Sequence, residues 1–128
     1  MNLLLDTVTI LDSALAPRDI SARARELILD TDNDLYVSTV SFWEVAVKYS
    51  IGKLALPESP DHFLRKIREK LGAEILPLDE ESALHVIRLP MLHRDPFDRM
   101  LICQAIVNGM VFLTSDSRIS QYPVRTAW

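Results

Sequence analysis

Four carboxylates in this chain stand where a short apolar run gives way to a turn or a helix start, and together they suggest chemistry. Asp6 directly follows Leu3 to Leu5, Glu44 lies in the helical segment after Leu35 to Thr39, Asp98 opens a long apolar helix, and Asp116 comes just after Val111 to Thr114. Each has an ordinary explanation. Ser41 and Glu44 have capping-box spacing, Asp95 and Asp98 frame a helix start, and Asp6 and Asp116 suit turns. All four at one end of a sheet is a different matter. Carboxylates sharing a small pocket repel one another, and the compensation for that is protons or a hard divalent cation with oxygen ligands, Mg²⁺ or Mn²⁺. Such ions activate water and stabilise the leaving oxygen of a phosphodiester, so the implied reaction is phosphodiester hydrolysis.

The elements that must position these acids follow from the apolar pattern. Leu3–Leu5, Leu35–Thr39, Ala73–Leu76, Val111–Thr114 and Val124–Thr126 are expected as strands. Helices are expected over Ile10–Leu15, Ser21–Asp30, Ser41–Gly52, Asp61–Leu71, Asp79–Leu89 and Asp95–Asn108. The last of these is the best defined, with Asp95 as cap, Pro96 at the first helical position and Gly109 just past the end. Helices alternating with short apolar strands indicate an α/β layered fold with a mostly parallel sheet, in which ligands bind beyond the carboxyl ends of the strands.

Composition narrows the class. A chain of 128 residues with 48% hydrophobic and 25% charged residues has the make-up of one globular domain, 1–128, and not of a disordered or fibrous chain. The formal charge of −4 excludes a broadly basic nucleic-acid coat while leaving room for a local basic rim. A single cysteine, Cys103 in an apolar run, cannot form an internal disulfide and suits a reducing compartment. The start lacks the basic, long apolar stretch of a secretory signal, and no segment has the roughly 20 apolar residues of a membrane span. A cytoplasmic protein with no membrane partner is expected.

Other polar and aromatic residues lie near these acids in sequence. His93 lacks Cys or His partners at zinc spacing and is given a surface or supporting role. Ser115 has no His placed to build a nucleophilic triad, so Thr7, Thr114 and Ser115 are read as polar neighbours of the acids. Phe42 and Trp43 are expected mainly in the core, one ring being able to touch a base. Lys48 and Arg99 are candidate phosphate contacts, and Lys48, one turn after Glu44, equally suits an ion pair with it.

The segments Leu3-Leu4-Leu5-Asp6-Thr7, Trp43-Glu44-Val45-Ala46-Val47-Lys48, Gly52-Lys53-Leu54-Ala55-Leu56-Pro57, His93-Arg94-Asp95-Pro96-Phe97-Asp98-Arg99-Met100-Leu101 and Leu113-Thr114-Ser115-Asp116 occur in an order that resembles PIN-domain ribonucleases, specifically the toxins of VapBC toxin–antitoxin pairs. The resemblance spans essentially the whole chain. It implies a three-layer sandwich around a parallel sheet of about five strands. It further implies a Mg²⁺- or Mn²⁺-dependent endoribonuclease whose acidic site maps onto Asp6, Glu44, Asp98 and Asp116 with Asp95 in support. A cognate small antitoxin, an RNA substrate and homodimers are implied as partners. Many relatives carry His after Asp-Thr where this chain has Val8, so contacts of the first helix with RNA or partner are expected to differ. The alternatives are a DNA-directed nuclease, since four acids and Mg²⁺ do not distinguish sugars, and a catalytically silent PIN-like binding module.

Overall fold

Leu3, Leu4 and Leu5 are all fully buried, although alternate residues of a strand point to opposite sides. Both faces of this strand are therefore covered, as is usual for a parallel sheet. The computed structural model describes residues 1–128. Its strands are β1 (Asn2–Leu5), β2 (Asp34–Ser38), β3 (Glu74–Leu76), β4 (Val111–Leu113) and β5 (Thr126–Ala127). They form one sheet in the order β3-β2-β1-β4-β5, with every neighbouring pair parallel. Leu3 is in register with Leu35 on one side and Val111 on the other, so β1 is central.

Six helices cover this sheet: α1 (Thr7–Leu15), α2 (Ala22–Leu29), α3 (Thr39–Ser50), α4 (Pro60–Leu71), α5 (Glu80–Leu84) and α6 (Pro96–Asn108). Leu3 and Leu5 pack with Ile10 of α1, Val45 of α3 and Phe63, Leu64 and Ile67 of α4. Leu4 and Phe112 pack on the other side with Leu101, Ile102, Cys103 and Ala105 of α6. The result is the expected α/β sandwich. Helix α3 borders both layers, giving Val45 to the first and Val40 to the second.

Local chemistry shifts several element boundaries from those read in the sequence. Helix α1 begins directly at Thr7, three residues before Ile10, because the carbonyl of Asp6 already accepts the first helical bond, from Ile10 N at 3.0 Å. Helix α3 begins at Thr39, not Ser41, with Ser38 as its cap accepting from Val40 N at 2.9 Å. The Ser41–Glu44 capping box therefore does not form: Ser41 is inside the helix, its hydroxyl accepting from Thr7 Oγ1 at 2.8 Å. Ala73 is excluded from β3 because its N–H closes the end of α4 on Arg68 O, around Gly72 at φ 64°. The helix expected over Asp79–Leu89 tightens after Leu84 into a 3₁₀ turn, His85–Arg88. Val124 turns back to bond Tyr122 O at 2.7 Å, which moves β5 to Thr126–Ala127.

Chain order decides where a site can lie. From β1 the chain moves outward to β2 and β3, then crosses back to place β4 on the other side of β1. The order thus reverses between β1 and β4, and the crevice beyond their carboxyl ends is where such sheets bind ligands. Asp6 and the Thr114-Ser115-Asp116 turn flank that crevice.

Candidate active site

Beyond the ends of β1 and β4 lies a cavity of about 460 Å³, lined by Asp6, Glu44, Asp95, Asp98 and Asp116, with Lys48 and Arg118 as its cations and Thr7, Val8 and Ser115 completing the wall. The four acids singled out in the sequence are thus brought together, along with Asp95, Thr7, Ser115 and Lys48. Thr114 sits beneath, bonded to Asp6.

Each acid is held by different means. Asp6, 7% exposed, accepts a 2.6 Å hydrogen bond from Thr114 Oγ1. Burial pushes its pKa up to about 6, the Thr114 bond opposing this and the charges of Asp98 and Glu44 adding to it. Glu44, on the inward side of α3, accepts at Oε2 a 2.5 Å hydrogen bond from Lys48 Nζ, one helical turn on. That ion pair holds the Lys48 ammonium above its usual range. Asp98, in the first turn of α6, is also pushed up by burial, then by the neighbouring charge of Asp95, while His93 opposes the shift. Asp116 is held below the usual carboxylate range by Arg118, which grips it at 2.8 and 3.1 Å. Asp95 is the cap of α6, accepting from Phe97 N at 2.9 Å and Asp98 N at 3.2 Å.

Do these residues suit a hard cation? The donor set is all oxygen and strongly acidic. Oε1 of Glu44 is buried and has no hydrogen-bond partner, which is costly for a carboxylate oxygen and is relieved by a cation. As they stand, no three His, Cys, Asp or Glu side chains converge into a ready-made chelate. The reason is visible in the contacts above, where Thr114, Lys48, His93 and Arg118 each draw an oxygen of a different acid. The chemistry of the set, acidic and all oxygen with one buried oxygen unpartnered, fits Mg²⁺ or Mn²⁺.

Two residues of this site have no counterpart among those singled out in the sequence. Arg118 reaches the cavity because the turn after β4 folds tightly: Asp116 N donates to Thr114 Oγ1 at 3.1 Å and Arg118 N to Asp116 Oδ1 at 2.9 Å. The available signal was an arginine two residues beyond an Asp at a strand end. Tyr122 supports the site from below. Its hydroxyl accepts from Leu92 N, His93 N and Arg99 Nη1 at 3.3, 3.1 and 3.2 Å. The same hydroxyl lies 2.7 Å from His93 Nδ1, and the other ring nitrogen, Nε2, faces Asp98 Oδ2 at 3.2 Å. His93 thereby links Tyr122 to Asp98, consistent with a supporting role.

Two expectations need correction. Arg99 does not line the cavity: it is 6% exposed, and its guanidinium is engaged by Pro90 O at 2.8 Å and by Tyr122, so its place is in the scaffold. Trp43 is not in the core but 58% exposed, its ring edge-to-face with Phe97 at 4.9 Å. Phe42, as expected, packs against the core.

A segment of 67 residues is 28% identical to Ribonuclease VapC16 of Mycobacterium tuberculosis, covering 52% of this chain and 48% of that protein. The match therefore spans about half the length of that curated relative. Among solved structures, the chain is similar to VapBC2 from Rickettsia felis bound to a DNA fragment from its promoter, with a TM-score of 0.76 and 16% identity over 99% of this chain and 98% of that one. DNA-bound VapBC from Salmonella typhimurium gives a TM-score of 0.68 and 20% identity over 99% and 97%. At these identities the likeness is one of fold. No helix is long and apolar enough to cross a membrane. The PIN domain family model matches residues 3–124, which includes every residue of the acidic cavity. The chain belongs to the PIN domain family.

Proposed function

We propose that this chain is a Mg²⁺- or Mn²⁺-dependent endoribonuclease acting as the toxin of a toxin–antitoxin pair. The observation that carries this reading is the meeting of Asp6, Glu44, Asp98 and Asp116 in one cavity at the switch point of the sheet, with Glu44 Oε1 unpartnered. Ribonuclease VapC16 supports the activity by its name, and the VapBC complexes support the pairing with an antitoxin.

Asp6, Glu44 and Asp98 would hold the principal ion, with Asp116 serving a second position or a water-mediated one. When bound, the ion supplies positive charge that lowers the pKa of an attacking water and stabilises the leaving oxygen of the phosphodiester. The remaining work falls to the protein. Thr114 aims Asp6, and His93, fixed by Tyr122, aims Asp98. Lys48 and Arg118 are the cations at the rim that meet the RNA phosphates, Arg118 by its forked guanidinium. A basic rim of this size is sufficient for single-stranded RNA despite the net charge of −4. The same reading places the protein in the cytoplasm, as a homodimer, with a small antitoxin as its inhibitor.

Expression in a host without the antitoxin tests this reading. Growth arrest by the wild type and its loss in Asp6→Ala is the expected result, whereas arrest that persists in Asp6→Ala identifies a binding module. Parallel single-stranded RNA and DNA substrates separate the ribonuclease from a DNA nuclease.

A further inference from the structure

Trp43 is the largest side chain on the surface near the acidic cavity, 58% exposed and outside the cavity wall. It stands on α3 beside Glu44, and its indole is braced edge-to-face on Phe97, the residue beside Asp98. Lys48 Nζ, itself a wall of the cavity, lies 6.0 Å from the centre of the Phe97 ring. The cavity, the Lys48 ammonium, the Phe97 ring and the Trp43 indole therefore form one continuous path from the acids outward.

A mostly exposed indole braced on a half-buried, core-packed ring and flanked by a cation has the make-up of a platform for an unpaired base: the indole stacks on the base while the cation meets the adjoining phosphate. We infer that Trp43, braced by Phe97, is a stacking subsite for one unpaired base of the RNA, next to the phosphate held at Lys48. This rests on the nuclease reading for its choice of RNA, and it narrows the substrate to single-stranded segments, because a paired base has no free face to offer. A protein partner covering Trp43 is the competing occupant. Continuity with the cation and the acids favours the base.

The chain has two tryptophans, and Trp128 packs against the core, so a Trp128→Phe background leaves the Trp43 indole as the sole emitter. In metal-free buffer, where binding is separated from cleavage, an octamer of riboadenosine is expected to quench that emission and an eight-base-pair RNA duplex to leave it unchanged. By anisotropy of the labelled octamer, Trp43→Leu is expected to weaken binding about tenfold and Trp43→Phe to retain most of it. This second readout uses the natural Trp128. Cleavage in Mg²⁺ should show a KM raised about tenfold and an unchanged kcat in Trp43→Leu. Octamer binding by Trp43→Leu equal to that of wild type, or equal quenching by octamer and duplex, overturns the subsite. So does a sedimentation experiment in which Trp43→Leu breaks a dimer without changing octamer affinity. The two readings fail separately: cleavage by wild type without quenching removes the subsite alone, and quenching without cleavage removes the nuclease alone.

Discussion

Thr114 Oγ1 donates a 2.6 Å hydrogen bond to Asp6 Oδ2, joining residues 108 apart in sequence across the ends of the two strands that flank the switch point. It is the strongest influence opposing burial on the Asp6 carboxyl. A hydrogen bond to a charged group is worth about 1.5 kcal/mol or more, and one pKa unit is about 1.4 kcal/mol. Thr114→Val should therefore move the titration profile of the Asp6 carboxyl in the metal-free protein upward by about one unit, and Thr114→Ser should restore it. A profile unmoved in Thr114→Val would show that Asp6 does not depend on this bond.

The raised Asp6 pKa sets a stability trade. With a folded pKa of about 6 against an ordinary 3.8, the proton is held more tightly in the folded protein. The resulting stabilisation is complete below pH 3.8 and lost as pH rises to about 6, beyond which ionised Asp6 costs the metal-free fold on the order of 2–3 kcal/mol. Asp6→Asn should thus be more stable than wild type at pH 7.5, the gap closing toward pH 4 in urea titrations. A less stable Asp6→Asn at pH 7.5 would contradict the burial account.

Arg118 grips Asp116 from an exposed position, which leaves the guanidinium accessible to an incoming phosphate. Arg118→Ala should weaken single-stranded RNA binding and make the slope of log affinity against log salt shallower by about 0.7, the value for one phosphate contact. The Asp116 pKa should rise toward its ordinary range at the same time. An unchanged salt slope would limit Arg118 to its pairing with Asp116.

Tyr122 serves four polar partners through one hydroxyl, and Arg99 is buried beside it. Tyr122→Phe leaves the part-buried His93 N–H without its acceptor, while Leu92 N and Arg99 keep only Pro90 O, so a loss of about 1–3 kcal/mol is expected from urea titrations. Cleavage should fall as well, because His93 no longer has a fixed orientation toward Asp98. A loss below about 0.5 kcal/mol, the range of ordinary surface changes, would contradict this role.

Those predictions draw on different amounts of sequence information. The strands were legible because buried parallel strands are short unbroken apolar runs, as at Leu3–Leu5 and Val111–Leu113, and α6 because Asp95, Pro96 and Gly109 mark both its ends. The position of each acid at a strand or helix end was legible for the same reason. Spacing to Glu44 puts the start of α3 at Ser41, whereas Ser38 is the cap and Ser41 lies inside the helix against Thr7, a tertiary contact that spacing does not reveal. Arg99 and Trp43 were misplaced because helical periodicity cannot assign sides in a segment apolar on most of them. Arg118 and Tyr122 depend on the tight turns after β4, whose course is fixed by hydrogen bonds to Thr114 and Asp116 and not by any apolar pattern.

The claim at the centre is that the four acids act through a divalent ion on RNA. Cleavage of a single-stranded RNA by wild type and Asp98→Asn, each in Mg²⁺, Mn²⁺ and EDTA, tests it most directly. The account predicts cut RNA with wild type in either metal, none in EDTA, and a fall of at least about a hundredfold in Asp98→Asn, whose amide keeps the shape but not the charge. Cleavage that survives EDTA in full, or that is unchanged in Asp98→Asn, would contradict it.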